Sequence, residues 1–406
     1  MIILGIESSC DETAAAVIEN MPSGGVRLLS NVTATSSGIH ARTGGVIPED
    51  AARKQVESII PVIELALRDA FPSQSQDTIY EILNTHIDAI AVTVGPGLIG
   101  SLLVGVETAK TLSMITGKPI IPVNHLVGHL YANWIVSSDE LETYKEPQFP
   151  ALALVVSGGH TDLVLMKDHG KFEWIGGTRD DAAGEAFDKT ARLMGFDYPG
   201  GPLLSKAADE YINEVRNRVA RNGEPQRRGP LVGGDGAVSR QDPTPILNLF
   251  PRPMIHEPNF DWSFSGLKTA VLRTMKDLVG ETVDLKMADY QRLAKLPIVL
   301  EERNRLAAEI QEAICDVLVE KVLRAIDYYK PSALLLAGGV SANFRLRELM
   351  KERLLEKNYG THLFVPKPIL CTDNAAYIAT CAFYNQKFTD WKNINANPEL
   401  GIMDEV

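Results

Sequence analysis

One pattern occurs twice in this chain, and it limits the fold more than any other feature. The apolar run Ile2–Ile6 enters the polar turn Ser8-Ser9-Cys10-Asp11-Glu12-Thr13, and a strand resumes over Ala14–Val17. Further on, Ala151–Val156 enters Ser157-Gly158-Gly159-His160-Thr161 and returns over Asp162–Met166. A second echo follows each hairpin. The strand Ile87–Val94 closes in Gly95-Pro96-Gly97, and Ala333–Ala337 closes in Gly338-Gly339-Val340, each before a helix. Short apolar runs bounded by turn residues read as buried strands, and strands alternating with helices read as parallel sheet covered by helices. The repetition therefore predicts a two-domain α/β protein with similar halves. Each half opens with a hairpin whose turn can lay backbone N–H groups around phosphate oxygens. Two such hairpins facing a cleft suit a nucleotide.

The rest of the chain fills in this frame. A strand is expected over 26–35 and a helix over 49–69, with Val56, Ile59, Ile60, Ile63 and Leu67 on its inner face. Helices are also expected at 100–116, 125–135, 300–329 and from near Asp373 to 386, and a short strand at 120–123. The 300–329 helix should bury Leu306, Ile310, Ile314, Val317, Leu318, Val322 and Ala325. The polar stretch 137–148 reads as a linker. The expected halves are 1–136, completed by 387–406, and 149–386, with a Pro- and Gly-rich irregular insertion at about 213–260.

Composition removes several classes. With 406 residues, 45% hydrophobic and 23% charged, the chain can bury large cores unaided. No apolar run approaches the roughly 18 residues needed to span a bilayer, and no basic leader precedes Ile2, so a cytoplasmic protein without membrane contact is expected. The four cysteines form no C-x-x-C pair and read as reduced thiols. A net charge of −12 argues against coating nucleic acid through global charge. Arginines 216, 218, 221, 227, 228 and 240 nevertheless cluster in the irregular region, either as a solvated loop or as an arm for a polyanion.

His125-Leu126-Val127-Gly128-His129 puts two imidazoles four apart, on one face of a helix. The pair suits a metal ion, or it is simply packed. A zinc-protease motif would need Glu where Leu126 stands. Asp373 is a candidate third ligand or the cap of the helix it precedes. The turns Val155–Gly159 and Gly338–Asn343 allow close backbone approach to a ligand, or are ordinary tight turns. Asp181, Glu185 and Asp188 are spaced to share a helix face.

Taken in order, Ile6–Thr13, Asn124–His129, Val156–Thr161, Gly184–Lys189, Tyr198–Pro202, Phe264–Thr269 and Gly338–Asn343 resemble the bacterial tRNA N6-adenosine threonylcarbamoyltransferase family, TsaD, formerly labelled a sialoglycoprotein endopeptidase. The resemblance implies an actin/Hsp70/sugar-kinase-like (ASKHA) fold with two RNase H-like halves around a central cleft. It implies transfer of threonylcarbamoyl from threonylcarbamoyl-AMP to N6 of adenine 37 in tRNAs reading codons that begin with A. By motif, His125, His129 and Asp373 would hold one divalent metal, Fe2+ or alternatively Zn2+. Val155, Val156, Ser157, Gly158, Gly159, Asp188, Gly201 and Asn343 would bind the adenylate. Asp11 or Glu12 would accept the amine proton. The implied partners are tRNA, a TsaB-like paralogue on the N-terminal half and a TsaE-like ATPase. Two positions depart from the family pattern: Gln55 stands where a histidine is usual, and 220–258 is longer. Ser205, where some relatives carry an acid, receives no role. The alternatives are a phosphotransferase or ATPase of the same fold, and a non-catalytic paralogue scaffold.

Overall fold

The computed structural model of the chain describes residues 1–22, 24–35, 47–74, 76–137, 143–222, 248–280 and 287–406. Its first half runs β1 (Ile2–Glu7), β2 (Glu12–Asn20), β3 (Val26–Thr35), α1 (Pro48–Ala70), α2 (Ile79–His86), β4 (Ala89–Gly95), α3 (Ile99–Thr116), β5 (Ile120–Asn124), α4 (His125–Tyr131) and β6 (Ile135–Val136). Its second runs β7 (Ala151–Val156), β8 (Thr161–Asp168), β9 (Lys171–Gly177), α5 (Ala183–Leu193), α6 (Gly200–Asn222), α7 (Ser265–Val279), α8 (Met287–Leu293), α9 (Pro297–Tyr329), β10 (Ala333–Ala337), α10 (Phe344–Glu356), β11 (His362–Phe364) and α11 (Ala375–Tyr384).

The two sheets have one topology. The first is ordered β5-β4-β1-β2-β3-β6 and the second β11-β10-β7-β8-β9. In the first, β2 is antiparallel to β1 and to β3, while β4 and β5 run parallel to β1 and β4 respectively. The second repeats this with β8 antiparallel to β7 and β9, and with β10 and β11 parallel. A duplicated meander followed by two parallel crossover strands is the actin/Hsp70/sugar-kinase-like architecture. Strands β1, β4 and β7 are buried almost throughout, which is why they read as unbroken apolar runs.

Helix α9 buries all seven residues of its expected stripe. Fully burying such a side chain contributes about 1.5–3 kcal/mol. In α1, Ile59, Ile63 and Leu67 are buried as expected, but Val56 and Ile60 are exposed, so the inner face is narrower than its apolar spacing implied. The helix expected over 125–135 ends at Tyr131; a 3-10 turn at Ala132–Trp134 then leads into β6, which pairs with β3. Residues 213–222, expected to be irregular, continue α6, while 223–247 lie outside the described residues. Arg227, Arg228 and Arg240 fall there. Of the cluster's other members, Arg218 pairs with Glu214, and Arg216 lies 3.7 Å from Glu348. Strand β9 carried no clear apolar alternation and was not expected. Residues 389–402 return to the first sheet: Thr389 N–H donates to Ile120 O at 2.8 Å and Asn397 N–H to Val94 O at 2.7 Å. Among the described residues, no helix is long and apolar enough to cross a membrane.

Candidate active site and metal centre

Strand β5 ends at Asn124, whose side chain caps the next helix by accepting from Leu126 N (3.0 Å) and Val127 N (3.5 Å). Helix α4 therefore starts at His125, with both histidines on one buried face. Gly128, between them, lets α11 come close: a Cβ there would lie 2.8 Å from Ile378 Cδ1 and 3.0 Å from Tyr377. The helix after Asp373 is capped by Asn374, which accepts from Ala376 N and Tyr377 N. Asp373 is thus not the cap, and its carboxylate turns to the histidines. Its Oδ1 lies 3.7 Å from His125 Nε2 and 3.4 Å from His129 Nε2.

These spacings fit one ion. Two ligands each about 2 Å from a tetrahedral metal stand about 3.3 Å apart. One ligand atom from each of the three residues lies within 4.8 Å of the others. His129 is buried, its Nδ1 has no hydrogen-bond partner among the described residues, and its Nε2 meets Asp373 only at ion-pair distance. His125 is oriented from behind. Its Nδ1 lies 3.1 Å from Glu7 Oε2 and 3.2 Å from Ser9 Oγ, which leaves Nε2 for the centre. Glu7 is itself held by Thr93 Oγ1 (2.6 Å) and Ser9 N (2.5 Å).

The electrostatics point the same way. Burial pulls the His125 imidazole down, but the Glu7 and Asp373 carboxylates outweigh it and lift the group to about 9. Burial favours the neutral acid at Asp373 and Glu7, yet His125 holds both below the usual carboxylate range. Burial keeps His129 neutral. Two carboxylates beside one imidazolium leave buried negative charge, a setting in which a cation is favourable.

The glycine turns lie at the carboxyl ends of the second sheet's central strands. Gly338, at φ +84°, packs on the end of β7, where a Cβ would lie 2.4 Å from Val156 O. The turn at Val155, Val156, Ser157, Gly158 and Gly159 therefore abuts the Gly338–Asn343 turn. A Cβ on Gly158 or Gly159 would meet nothing within 4 Å, so this face is open. Asp188 Oδ1 accepts from Gly201 N at 2.7 Å, joining two of the expected residues. Asn343 caps α10 through Leu346 N and donates to Ser205 Oγ (2.8 Å) and Gln311 Oε1 (2.7 Å). Asp181 lies before α5, paired with Lys189 at 2.6 Å, and does not share the helix face of Glu185 and Asp188.

The halves sense each other across the cleft. Burial lowers the His160 imidazole, and His125 and His129 lower it further. Burial raises the Tyr198 hydroxyl to about 12, with Asp11 and Asp188, one from each half, adding to the rise. Glu12 is pushed up to about 10 by burial, then by Asp373 and Asp11. Gln55 is buried under this turn, and its Nε2 donates to Cys10 O (3.0 Å) and Glu12 O (2.8 Å). Gln55 thereby clasps the turn. Sequence reasoning assigned no role to Glu7, Thr93 or Tyr377; the available signal was Glu7, a lone charge in an apolar strand.

Comparison with known proteins converges on one group. The sequence profile of the TsaD family, described as tRNA N6-adenosine threonylcarbamoyltransferase, matches residues 27–380. A protein of that name from Geobacillus thermodenitrificans is 42% identical over 406 residues, covering 99% of this chain and 97% of that protein. One from Thermomicrobium roseum is 44% identical over 389 residues, covering 95% and 92%. Among solved structures, a ROK hexokinase from Thermus thermophilus aligns over 95% of this chain and 99% of its own, at 15% identity and a TM-score of 0.39. The fold assignment rests on the strand order.

Proposed function

The chain belongs to the tRNA N6-adenosine threonylcarbamoyltransferase family, and from that premise we propose a mechanism in which each half of the cleft has its own task. The activity is transfer of a threonylcarbamoyl group to N6 of a tRNA adenosine, in the proposed scheme adenine 37 of tRNAs reading codons that begin with A. The donor is threonylcarbamoyl-AMP. The observation that carries the reading is the convergence of His125, His129 and Asp373 on one point within a chain matched nearly end to end. The phosphotransferase alternative needs an oxygen-lined magnesium site, which a histidine pair does not suit.

His125, His129 and Asp373 hold one divalent metal, Fe2+ in the first instance and Zn2+ as the alternative. When bound, it supplies Lewis-acid polarisation and a template for the donor. Glu7 fixes the His125 ring with Nε2 directed at the centre. The turn Val155–Gly159 receives the phosphate, Asp188 and Gly201 the ribose, and Asn343 the adenine side of the adenylate. The donor is a mixed anhydride, already activated, so no protein nucleophile is needed. N6 forms a bond to the carbamoyl carbon, the carbon–oxygen bond to phosphate breaks, AMP leaves and N6 loses a proton. Asp11 or Glu12, on the opposite hairpin, accepts the proton from N6.

Residues 1–136 with 387–406, and 149–386, are the proposed halves. The bonds of Thr389 and Asn397 support the first grouping. A TsaB-like paralogue docks on the first half, in a cytoplasmic complex that also uses a TsaE-like ATPase. Supporting the docking, α1 and α3 pass closely where Gly100 faces Ala52, and they expose the apolar pairs Val56/Ile60 and Ile99/Leu103. The test combines the protein with both partners, an adenylate-forming synthase, threonine, bicarbonate, ATP and tRNA, and measures modified adenosine by nucleoside mass spectrometry. Modified adenosine is expected with the native chain and none without it. Its absence from the complete mixture would overturn the reading.

A further inference from the structure

Arg347 stands on the first turn of α10, four residues after Asn343. Its Nε donates to Ser341 O at 2.6 Å, inside the glycine turn that closes β10. Its Nη2 donates to Pro366 O at 3.0 Å and to Cys371 Sγ at 3.1 Å, in the segment that delivers Asp373. Among the described residues, Arg347 forms no ion pair with a carboxylate. A permanently charged group is thus engaged by two carbonyls and a thiol from the two segments that follow the paired strands β10 and β11, beyond the last ladder pair Leu335–Phe364. The planar guanidinium suits this, because its fixed fork can serve divergent acceptors at once, whereas a lysine ammonium is a single point.

We propose that Arg347 is a positioning residue that ties the adenylate turn to the segment carrying the third metal ligand, so that the two sites keep one register. The proposal rests on the metal and adenylate sites inferred above. Without the guanidinium, the 366–373 segment and the Gly338–Asn343 turn keep only the β10–β11 pairing behind them, and both sites loosen while the helices beneath them stay packed.

The experiment uses the full chain, with Zn2+ alone and AMP alone as probes, each measured by calorimetry. Arg347→Met should weaken Zn2+ binding by ~10–100-fold, the usual cost of losing a group that orients a ligand. It should weaken metal-free AMP binding by ~10-fold, the low end for hydrogen bonds from a charged donor. Arg347→Lys should recover part of one affinity but not both. Leu354→Ala, a buried change in the same helix, serves as the control: it should lower the melting temperature and leave both affinities unchanged. A folded Arg347→Met chain with either affinity within about twofold of wild type, on the scale where tenfold is 1.4 kcal/mol, overturns the proposal. If Arg347→Met does not fold, full retention of both affinities in Arg347→Lys overturns it instead. A wild-type chain whose Zn2+ affinity is unchanged by His129→Ala overturns the metal site itself, and the tie with it.

Discussion

The turns after β1 and β7 hold equivalent places in two copies of one topology, yet they are built from opposite materials. The first, Ser8–Glu12, carries side chains that titrate or donate, and it sits against the histidine pair and Asp373. The second, Ser157–His160, is half glycine and presents open backbone. The first turn faces a cation site whose charges are buried and oriented: Glu7 stands behind His125, and Asp373, delivered from the far end of the second half, has the Tyr377 hydroxyl 3.5 Å from its Oδ1. The second leaves open space at Gly158 and Gly159, where the proposed phosphate would meet no side chain. Duplication supplied two equivalent scaffolds, and divergence at the carboxyl ends of the strands made one a charged pole and the other a bare cradle.

If that division holds, damage to one half should leave the other's ligand in place. The largest effect is expected from His125→Ala combined with His129→Ala. Bound metal should vanish by elemental analysis, and tRNA modification should fall by about a thousandfold or more, several kcal/mol of transition-state stabilisation. AMP affinity should hold. Full metal occupancy in that variant would end the comparison.

Glu7→Gln comes next. It keeps a hydrogen-bond acceptor but removes the charge behind His125, so metal affinity should drop by about 10–100-fold with AMP binding unchanged. Calorimetric titration of both ligands checks this. Gly159→Val is the mirror experiment. Its side chain enters open space and should fold normally, but it should weaken AMP by about tenfold while metal binding stays at wild-type level. Unaltered AMP affinity there would mean that the bare turn is not the cradle.

The smallest effect concerns Asp180, which ties the loop before α5 to the start of α7. It accepts from Phe264 N (2.7 Å), Ser265 N (3.2 Å), Ser263 Oγ (2.5 Å) and Ser265 Oγ (2.8 Å). Its modest burial favours the neutral acid, but these donors outweigh that and depress the carboxyl below its ordinary value. A depressed carboxylate stabilises the folded chain above its unfolded pKa of about 4 and loses that contribution as pH falls through the folded value. Asp180→Asn should therefore melt a few degrees below wild type at pH 7, and the gap should narrow in acid. A gap that widens as pH falls would contradict the assignment. Metal and AMP binding should not respond.

Much of the fold was legible because its central strands are buried on both faces and flanked by punctuating turns. Ile2–Ile6 and Ala151–Val156 could be little else. Strand β9 was not, since Lys171–Gly177 lies at a sheet edge, exposed or half-buried over its first five residues, with no continuous apolar run. The exposure of Val56 and Ile60 was hidden for a different reason: an exposed apolar face and a core face carry the same helical spacing. At the site, the i, i+4 spacing exposed the histidines, but the roles of Asp373 and Asn374 needed coordinates. Either residue can cap a helix, and only the observed register separates the cap from the carboxylate. Glu7, Thr93 and Gln55 act through hydrogen bonds to residues far along the chain, and no local pattern encodes such partners.

The placement of α11 also matters during synthesis. Glu7, His125 and His129 belong to the first third of the chain, but Asp373 and the strand-edge bonds of Thr389 and Asn397 come at its end. Roughly 240 residues separate the second histidine from the carboxylate, and at about 5–20 residues per second they take roughly 10–50 s to translate. Throughout that interval the nascent first half holds His129 and the Glu7–His125 pair without the carboxylate that completes the site. The proposed metal centre therefore waits on Asp373, the last of its three ligands to be synthesised.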